Sequence, residues 1–373
     1  MQPLKHFIFL SGMALATTTQ VHAAELKYRI EAIDVLSGGY ATYATGFNDH
    51  GQVALTAQGQ FEFGEGSRAF LYQRGQSTMI PLAAGLSSYS GDINNRGDMV
   101  GGMKISGSTR PFYYRNGKFV DIGATIGSDQ AVLTALNDKG MVVGYAEDKS
   151  FLYRNGHVEY WKAESMAATH AFDINNRGTV VGGSMFEPDS NYLSFFTYRN
   201  GQLKSPSLPD YIWGRAGAIN DSGQIVINKP QISWGETGDV YLYKDGKYTG
   251  INFFNGAGLD INEKGWVVGE RGFFVPDEGY DCCNASLYRD GRTYILENLL
   301  TANASKNWNL YSAIGIDERG TIVGNGYLEG VGRRAFVMTP VPEASTYATM
   351  MAGLVAVGYM SRRKRRDKSA QPQ

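Results

Sequence analysis

The feature that most limits what this chain can fold into is an Asn-x-x-Gly signal repeated seven times, ending at Gly51, Gly97, Gly140, Gly178, Gly223, Gly265 and Gly320. The spacings are 46, 43, 38, 45, 42 and 55 residues, a period at which each repeat is one supersecondary unit. The first position is Asn48, Asn94, Asn137, Asn175, Asn220 or Asn262, and Asp317 in the last copy. An Asx residue followed three positions later by glycine suits a tight hairpin with a left-handed glycine. Beyond the turn lie two consecutive apolar residues, such as Val142-Val143 and Val267-Val268, the pattern of a strand buried on both faces. In five copies a glycine comes next (Gly101, Gly144, Gly182, Gly269 and Gly324), as expected where backbones approach closely.

A loop of variable length then leads to an aromatic strand, for example Phe70-Leu71-Tyr72, Phe112-Tyr113-Tyr114 and Phe151-Leu152-Tyr153. Two-residue turns follow it at Asn116-Gly117, Asn155-Gly156, Asn200-Gly201, Asp245-Gly246 and Asp290-Gly291, strong short-range hairpin signals. Each unit therefore holds four antiparallel strands. With 47 Gly, 23 Tyr, 18 Phe and only 19% charged residues, the composition also favours short strands and turns over helices. The predicted fold class is all-β, a seven-bladed β-propeller of four-stranded blades over residues 24–340, an architecture that limits exposed edges by radial repetition. Copy seven ends at Val337-Met338-Thr339-Pro340 without an outer strand, while residues 28–35 are spare. The chain should close its last blade by pairing residues 28–35 beside residues 335–338.

The two ends carry signals of another kind. Residues 1–23 combine Lys5, an apolar run from Phe7 to Ala16 and Val21-His22-Ala23, the pattern of a signal peptide removed by signal peptidase after export across the inner membrane. Residues 341–366 combine Pro342-Glu343, an apolar stretch over 347–360 and a basic cluster over 362–366, ahead of a polar tail at 367–373. The stretch is expected to form a single short transmembrane helix, with the basic cluster on the cytoplasmic side. This order resembles the PEP-CTERM sorting signal of Gram-negative bacteria, with Ala344 where a second proline is common. The resemblance implies recognition through Pro342 and Glu343 by an exosortase, a membrane cysteine transpeptidase. It also implies removal of the tail and passage from a transient inner-membrane anchor to the cell surface or an exopolysaccharide-rich biofilm matrix. The repeats themselves, through Arg68-Ala69-Phe70 and Arg334-Ala335-Phe336, resemble the extracellular HAF repeat over most of residues 46–338, with the histidine missing. That resemblance implies fold and location and brings no activity with it.

Without residues 1–23 and the basic cluster and tail at 362–373 the chain has 28 basic and 35 acidic residues, a net charge near −7, which argues against a nucleic-acid partner. Asp92, Asp173 and Asp260 open segments that invite a calcium reading. However, Arg96, Arg177 and Lys264 precede the glycines and no distal glutamate follows at fixed spacing, so no metal is expected. His50, His157 and His170 fall at different places in their units and read as scattered surface residues. No nucleophile triad or phosphate loop emerges, and no cofactor is expected. Cys282 and Cys283 are adjacent and could form a strained vicinal disulfide or an unpaired surface pair.

The loops between the second and third strands should all emerge on one face. One carries Phe61 and Phe63 beside Glu62 and Glu65, and a second carries Phe186 and Tyr192 beside Glu187 and Asp189. The longest carries Phe273, Phe274, Asp277, Glu278 and Tyr280, and Trp234 stands in a shorter fourth. Aromatics beside carboxylates suit stacking on sugar rings and hydrogen bonding to them, although they can equally pack their own loops. The preferred reading is a non-enzymatic surface or matrix protein that binds polysaccharide or another envelope component. The alternatives are a propeller-fold lyase or hydrolase with paired loop carboxylates, and a purely structural scaffold.

Overall fold

The structure, a computed structural model, describes residues 26–35, 41–61, 64–81, 86–105, 107–187, 193–206, 214–229, 238–275, 279–301 and 307–341. Lys27–Val341 forms one compact unit. The expected signal peptide, Pro342 and Glu343, the span 347–360 and the basic cluster lie outside the described residues. Among the described residues no helix is long and apolar enough to cross a membrane, and the helical segments are the single turns Gly123–Ile126 and Leu296–Leu299.

The strands form seven four-stranded antiparallel sheets, one for each sequence repeat. In blade 3, for example, Val132–Leu136, Val142–Ala146, Lys149–Arg154 and His157–Trp161 pair in chain order. The first strands of all seven blades line an axial channel. Each two-residue outer turn has both residues left-handed, as at Asn116 (φ 51) and Gly117 (φ 73), the conformation that matches strand twist. The seven Asn-x-x-Gly glycines also have positive φ, between 74° and 84°.

Every first strand has an extra residue relative to its partner, a β-bulge placed two or three residues before the repeat's Asx, and blade 7 has a second one at Tyr311. The bulge brings a first-strand carbonyl against the second strand, and this explains the glycine there. A Cβ at Gly144 would lie 1.9 Å from the Val132 carbonyl oxygen, and the same clash, at 2.0–2.2 Å, meets Gly101, Gly182, Gly269 and Gly324. In four of the five the residue directly opposite is phenylalanine (Phe112, Phe151, Phe196, Phe336). Its ring tip covers the glycine, at 2.6–2.9 Å from the Cβ position. Blades 1 and 5 have Leu55 and Ile227 at this position with a bulge as well, so it is the local backbone approach, and not the bulge alone, that requires glycine.

The ring closes as the sequence predicts. Tyr28–Ile33 is the outermost strand of blade 7, with Tyr28 opposite Pro340 and Ile33 opposite Ala335. Ile33 and Val35 are buried in one cluster with Leu55 and Phe70 of blade 1 and Val323 and Ala335 of blade 7. The joint is polar as well as apolar: Asn325 accepts from the Ala44 N–H and donates to the Ala44 carbonyl, and the Ala335 N–H donates to Thr42.

Candidate functional site

Because the strands alternate in direction, the Asn-x-x-Gly turns and the outer two-residue turns share one face, the turn face. The variable loops share the other, the loop face. On the turn face each Asx holds its own hairpin. The Asn137 Oδ1, for instance, accepts from the N–H groups of Lys139 and Met141. Its Nδ2 reaches the next blade and donates to the Asn175 carbonyl at 2.9 Å. The same link runs from Asn48 to Asn94, Asn94 to Asn137, Asn175 to Asn220, Asn220 to Asn262 and Asn262 to Asp317. An aspartate could close the turn but could not donate. At Asp317 the missing donor is replaced by Arg319, whose Nη2 reaches the Asp49 carbonyl. A second circle lies one residue on. The backbone N–H of Asp49, Asn95, Asp138, Asn176, Asp221, Glu263 and Glu318 each donates to a neighbouring blade's side chain from the same set.

These side chains form the turn-face mouth of the axial channel, a space of about 440 Å³. Just inside stand Asp92, Asp173 and Asp260, one in each of blades 2, 4 and 6, alternating with the small residues Gly46, Ala135, Ala218 and Gly315. Each aspartate receives two backbone N–H groups, one from the following residue and one from the next blade. Asp92 takes those of Ile93 and Leu136, Asp173 those of Ile174 and Ile219, and Asp260 those of Ile261 and Ile316. The calcium-like segments thus serve as blade-to-blade staples, and no metal-holding group of carboxylates, histidines or cysteines occurs among the described residues.

These carboxyls face the channel on one side and are enclosed in protein on the others. Desolvation raises Asp92 and Asp173 to about 7 and Asp260 to about 6, against the lowering effect of the two amides. Groups with a raised folded-state pKa hold more protons folded than unfolded. Their stabilisation is full below the unfolded carboxylate value and is lost as pH rises through 6 to 7. The melting temperature is therefore expected to fall between pH 5 and pH 8, by roughly 5 to 10 °C. Thermal denaturation of a D92N/D173N/D260N variant should show a flatter pH profile, on a lower baseline because an amide keeps only one acceptor oxygen. An unchanged slope would contradict the assignment.

The loop face presents a different chemistry. Near the loop ends of the first strands stand Tyr43, Tyr89, His170 and Arg215. The His170 ring stacks on Tyr145 of the preceding blade, centroids 4.0 Å apart, and burial lowers its pKa. This corrects the reading of His170 as a scattered surface residue. Arg215 lies 5.0 Å from the Phe172 ring centroid, and Arg333 donates to the Tyr43 hydroxyl at 3.2 Å. Phe186 and Tyr327 are each 51% exposed on the same face.

Of the aromatics expected in the loops, Phe186 is exposed. Phe61 ends the strand Val53–Phe61, opposite Gly64. Phe273, Phe274 and Tyr280 lie in a long hairpin rather than an open loop, since Val267–Val275 pairs with Gly279–Arg289 and places Phe273 opposite Asp281. Phe63, Tyr192, Trp234, Asp277 and Glu278 lie outside the described residues, as do the side chain of Cys282 and with it the disulfide question. Cys283 is part-buried at φ 40. The first-strand aromatics escaped the sequence reading because their strand starts vary in both residue type and spacing.

No protein-family model matches the chain, and no curated protein sequence does. Solved structures do match. The β-propeller domain of the Trilobed protease from Pyrococcus furiosus, described as having an open velcro topology, aligns with TM-score 0.51 and 10% identity over 81% of this chain and 94% of its own. YCF48 bound to D1 peptide aligns at 0.46 and 11% identity over 85% and 96%. TolB from Acinetobacter baumannii aligns at 0.32 and 11% over 82% and 56%. At such identities the likeness is one of fold. The chain is a seven-bladed β-propeller whose last blade is completed by the N-terminal strand Tyr28–Ile33.

Proposed function

We propose that the protein is an exported, non-enzymatic binding protein of the cell surface or matrix, holding polysaccharide or another envelope component on its loop face. The observation that carries this reading is the contrast between the two faces. The turn face spends its amides and carboxamides on two closed circles of blade-to-blade hydrogen bonds. The loop face carries Tyr43, Tyr145 with His170, Phe186 and Tyr327 from different blades, with Arg333 donating to the Tyr43 hydroxyl and Arg215 beside the Phe172 ring. Flat rings beside cationic and hydroxyl donors are what a sugar chain needs for stacking and orientation. The exosortase and exopolysaccharide context drawn from the C-terminal signal fits the same reading. The lyase or hydrolase alternative gains nothing from the channel carboxylates, because each has both oxygens engaged by backbone amides.

Titration with neutral oligosaccharides should give saturable binding, and Tyr43→Ala, Tyr145→Ala and Phe186→Ala together should weaken it at least about tenfold. Binding unchanged in that variant would remove the loop face from the account. Release of sugar fragments during the titration would favour the enzyme instead.

A further inference from the structure

In four blades the residue after the Asn-x-x-Gly turn reaches across to the next blade; in blade 7 Thr321 does not, and a Cβ on Gly51 would meet nothing within 4 Å. Gln52 lies against Gly97, Met141 against Gly178, Gln224 against Gly265 and Trp266 against Gly320, while Gly140 is met by Arg96. In blade 4 this residue is Thr179, and a Cβ on Gly223 of blade 5 would meet nothing within 4 Å. An open groove of about 510 Å³ lies there, lined by Arg177, Thr179, Thr197, Arg199 and Lys204 of blade 4 and by Tyr243 of blade 5.

Blade 2 fills the same position with a carboxylate. Asp98 accepts from Arg96 at 2.7 Å and from the Tyr113 hydroxyl at 3.0 Å, and has Arg115 at 3.8 Å. By repeat position and strand pairing, Arg96 corresponds to Arg177, Asp98 to Thr179, Tyr113 to Thr197, Arg115 to Arg199 and Val120 to Lys204. Blade 4 keeps both arginines, loses the carboxylate and the tyrosine that occupied them, and gains a lysine. Among the described residues no ion pair engages Arg177, Arg199 or Lys204.

We propose that the groove between blades 4 and 5 binds a carboxylate-bearing sugar, a uronic acid residue of an acidic polysaccharide. The three cations match its carboxylate. Gln202, Asn200 and Asp245, which also line the groove, supply acceptors and donors for ring hydroxyls, and the Tyr243 ring supplies an apolar wall. Asp221 and Asp245 would oppose a compact, multiply charged anion such as phosphate, and this favours a singly charged sugar. The site is on the turn face, so it stands or falls separately from the loop-face reading.

The test is titration at low ionic strength, followed by protein NMR or calorimetry, with a uronate oligosaccharide, a neutral oligosaccharide of equal length and inorganic phosphate. The uronate should bind at the groove at least about tenfold more tightly than either other ligand. Thr179→Asp, which copies blade 2 and keeps every cation, should remove that preference, with the melting temperature held as a check on folding. Arg199→Gln should weaken uronate binding as well, and the triple loop-face variant should leave it intact. Equal binding of the neutral sugar or of phosphate, or uronate binding unchanged in both groove variants, would overturn the proposal.

Discussion

Removing residues 27–34 is expected to lower the melting temperature by more than about 10 °C or to abolish cooperative unfolding altogether. The deletion strips a six-residue antiparallel ladder from blade 7, and with it the fully buried Tyr28 and Ile33. Two such side chains are worth about 1.5 to 3 kcal/mol each. It also removes the Arg334–Asp34 ion pair, in which the arginine is 5% exposed, the Thr42 bond to the Ile33 carbonyl and the bond from Thr301 to the Tyr28 carbonyl. Arg334 would then be a buried charge without its partner, the costly case. Together these losses approach the whole margin of an ordinary folded domain, about 5 to 15 kcal/mol. A peptide of residues 27–35 added in trans should recover part of the stability, because its docking strip on blade 7 remains. A deletion variant that melts like the parent would mean the ring does not depend on this strand.

The second large effect is expected at the glycine that follows the paired apolar residues. Gly144→Ala places a methyl group 1.9 Å from the Val132 carbonyl oxygen and 2.9 Å from the Phe151 ring. One neighbour is backbone held by the blade's own ladder, so the strand must move, at a cost of about 2 to 4 kcal/mol, near the upper range for overpacking. Gly250→Ala is the matched control, since its Cβ would meet only the Tyr241 ring at 3.8 Å. Chemical denaturation of the two variants should separate them clearly, with the control within about 0.5 kcal/mol of the parent. Equal stabilities would show that the close approach is not real.

Much of this architecture was legible in the chain because it is written in residues with few conformational substitutes. The left-handed turn positions, the doubly buried valine pairs and the glycine opposite phenylalanine each leave a local mark, and seven repetitions make the marks countable. The closing strand was legible from a deficit, blade 7 lacking its fourth strand while residues 28–35 had no unit of their own. What the sequence concealed were relations between blades. A turn-closing role permits either Asn or Asp, so the inter-blade donation by Asn137 and its equivalents left only the preference for Asn in six copies as a trace. The aspartates at 92, 173 and 260 occur in every second repeat. That alternation was visible, but only the ring shows that each needs a small neighbour and an amide from the following blade. The loop-face rings of Tyr145 and His170 come from two different strands and meet only across a blade boundary. The blade 4 groove became visible only by comparing what Asp98 and Tyr113 do with what Thr179 and Thr197 leave open.

Closure of the ring is what collects the variable loops on one face and links the turns of the other from blade to blade. Amide hydrogen exchange over residues 28–33 tests it most directly. Strand pairing predicts that the amides facing Ala335–Pro340 exchange as slowly as those of the blade 7 strand Gly332–Pro340 itself, and far more slowly than the turn amides at Asn116-Gly117. Exchange of Ile30 and Ile33 at the rate of those turns would contradict it.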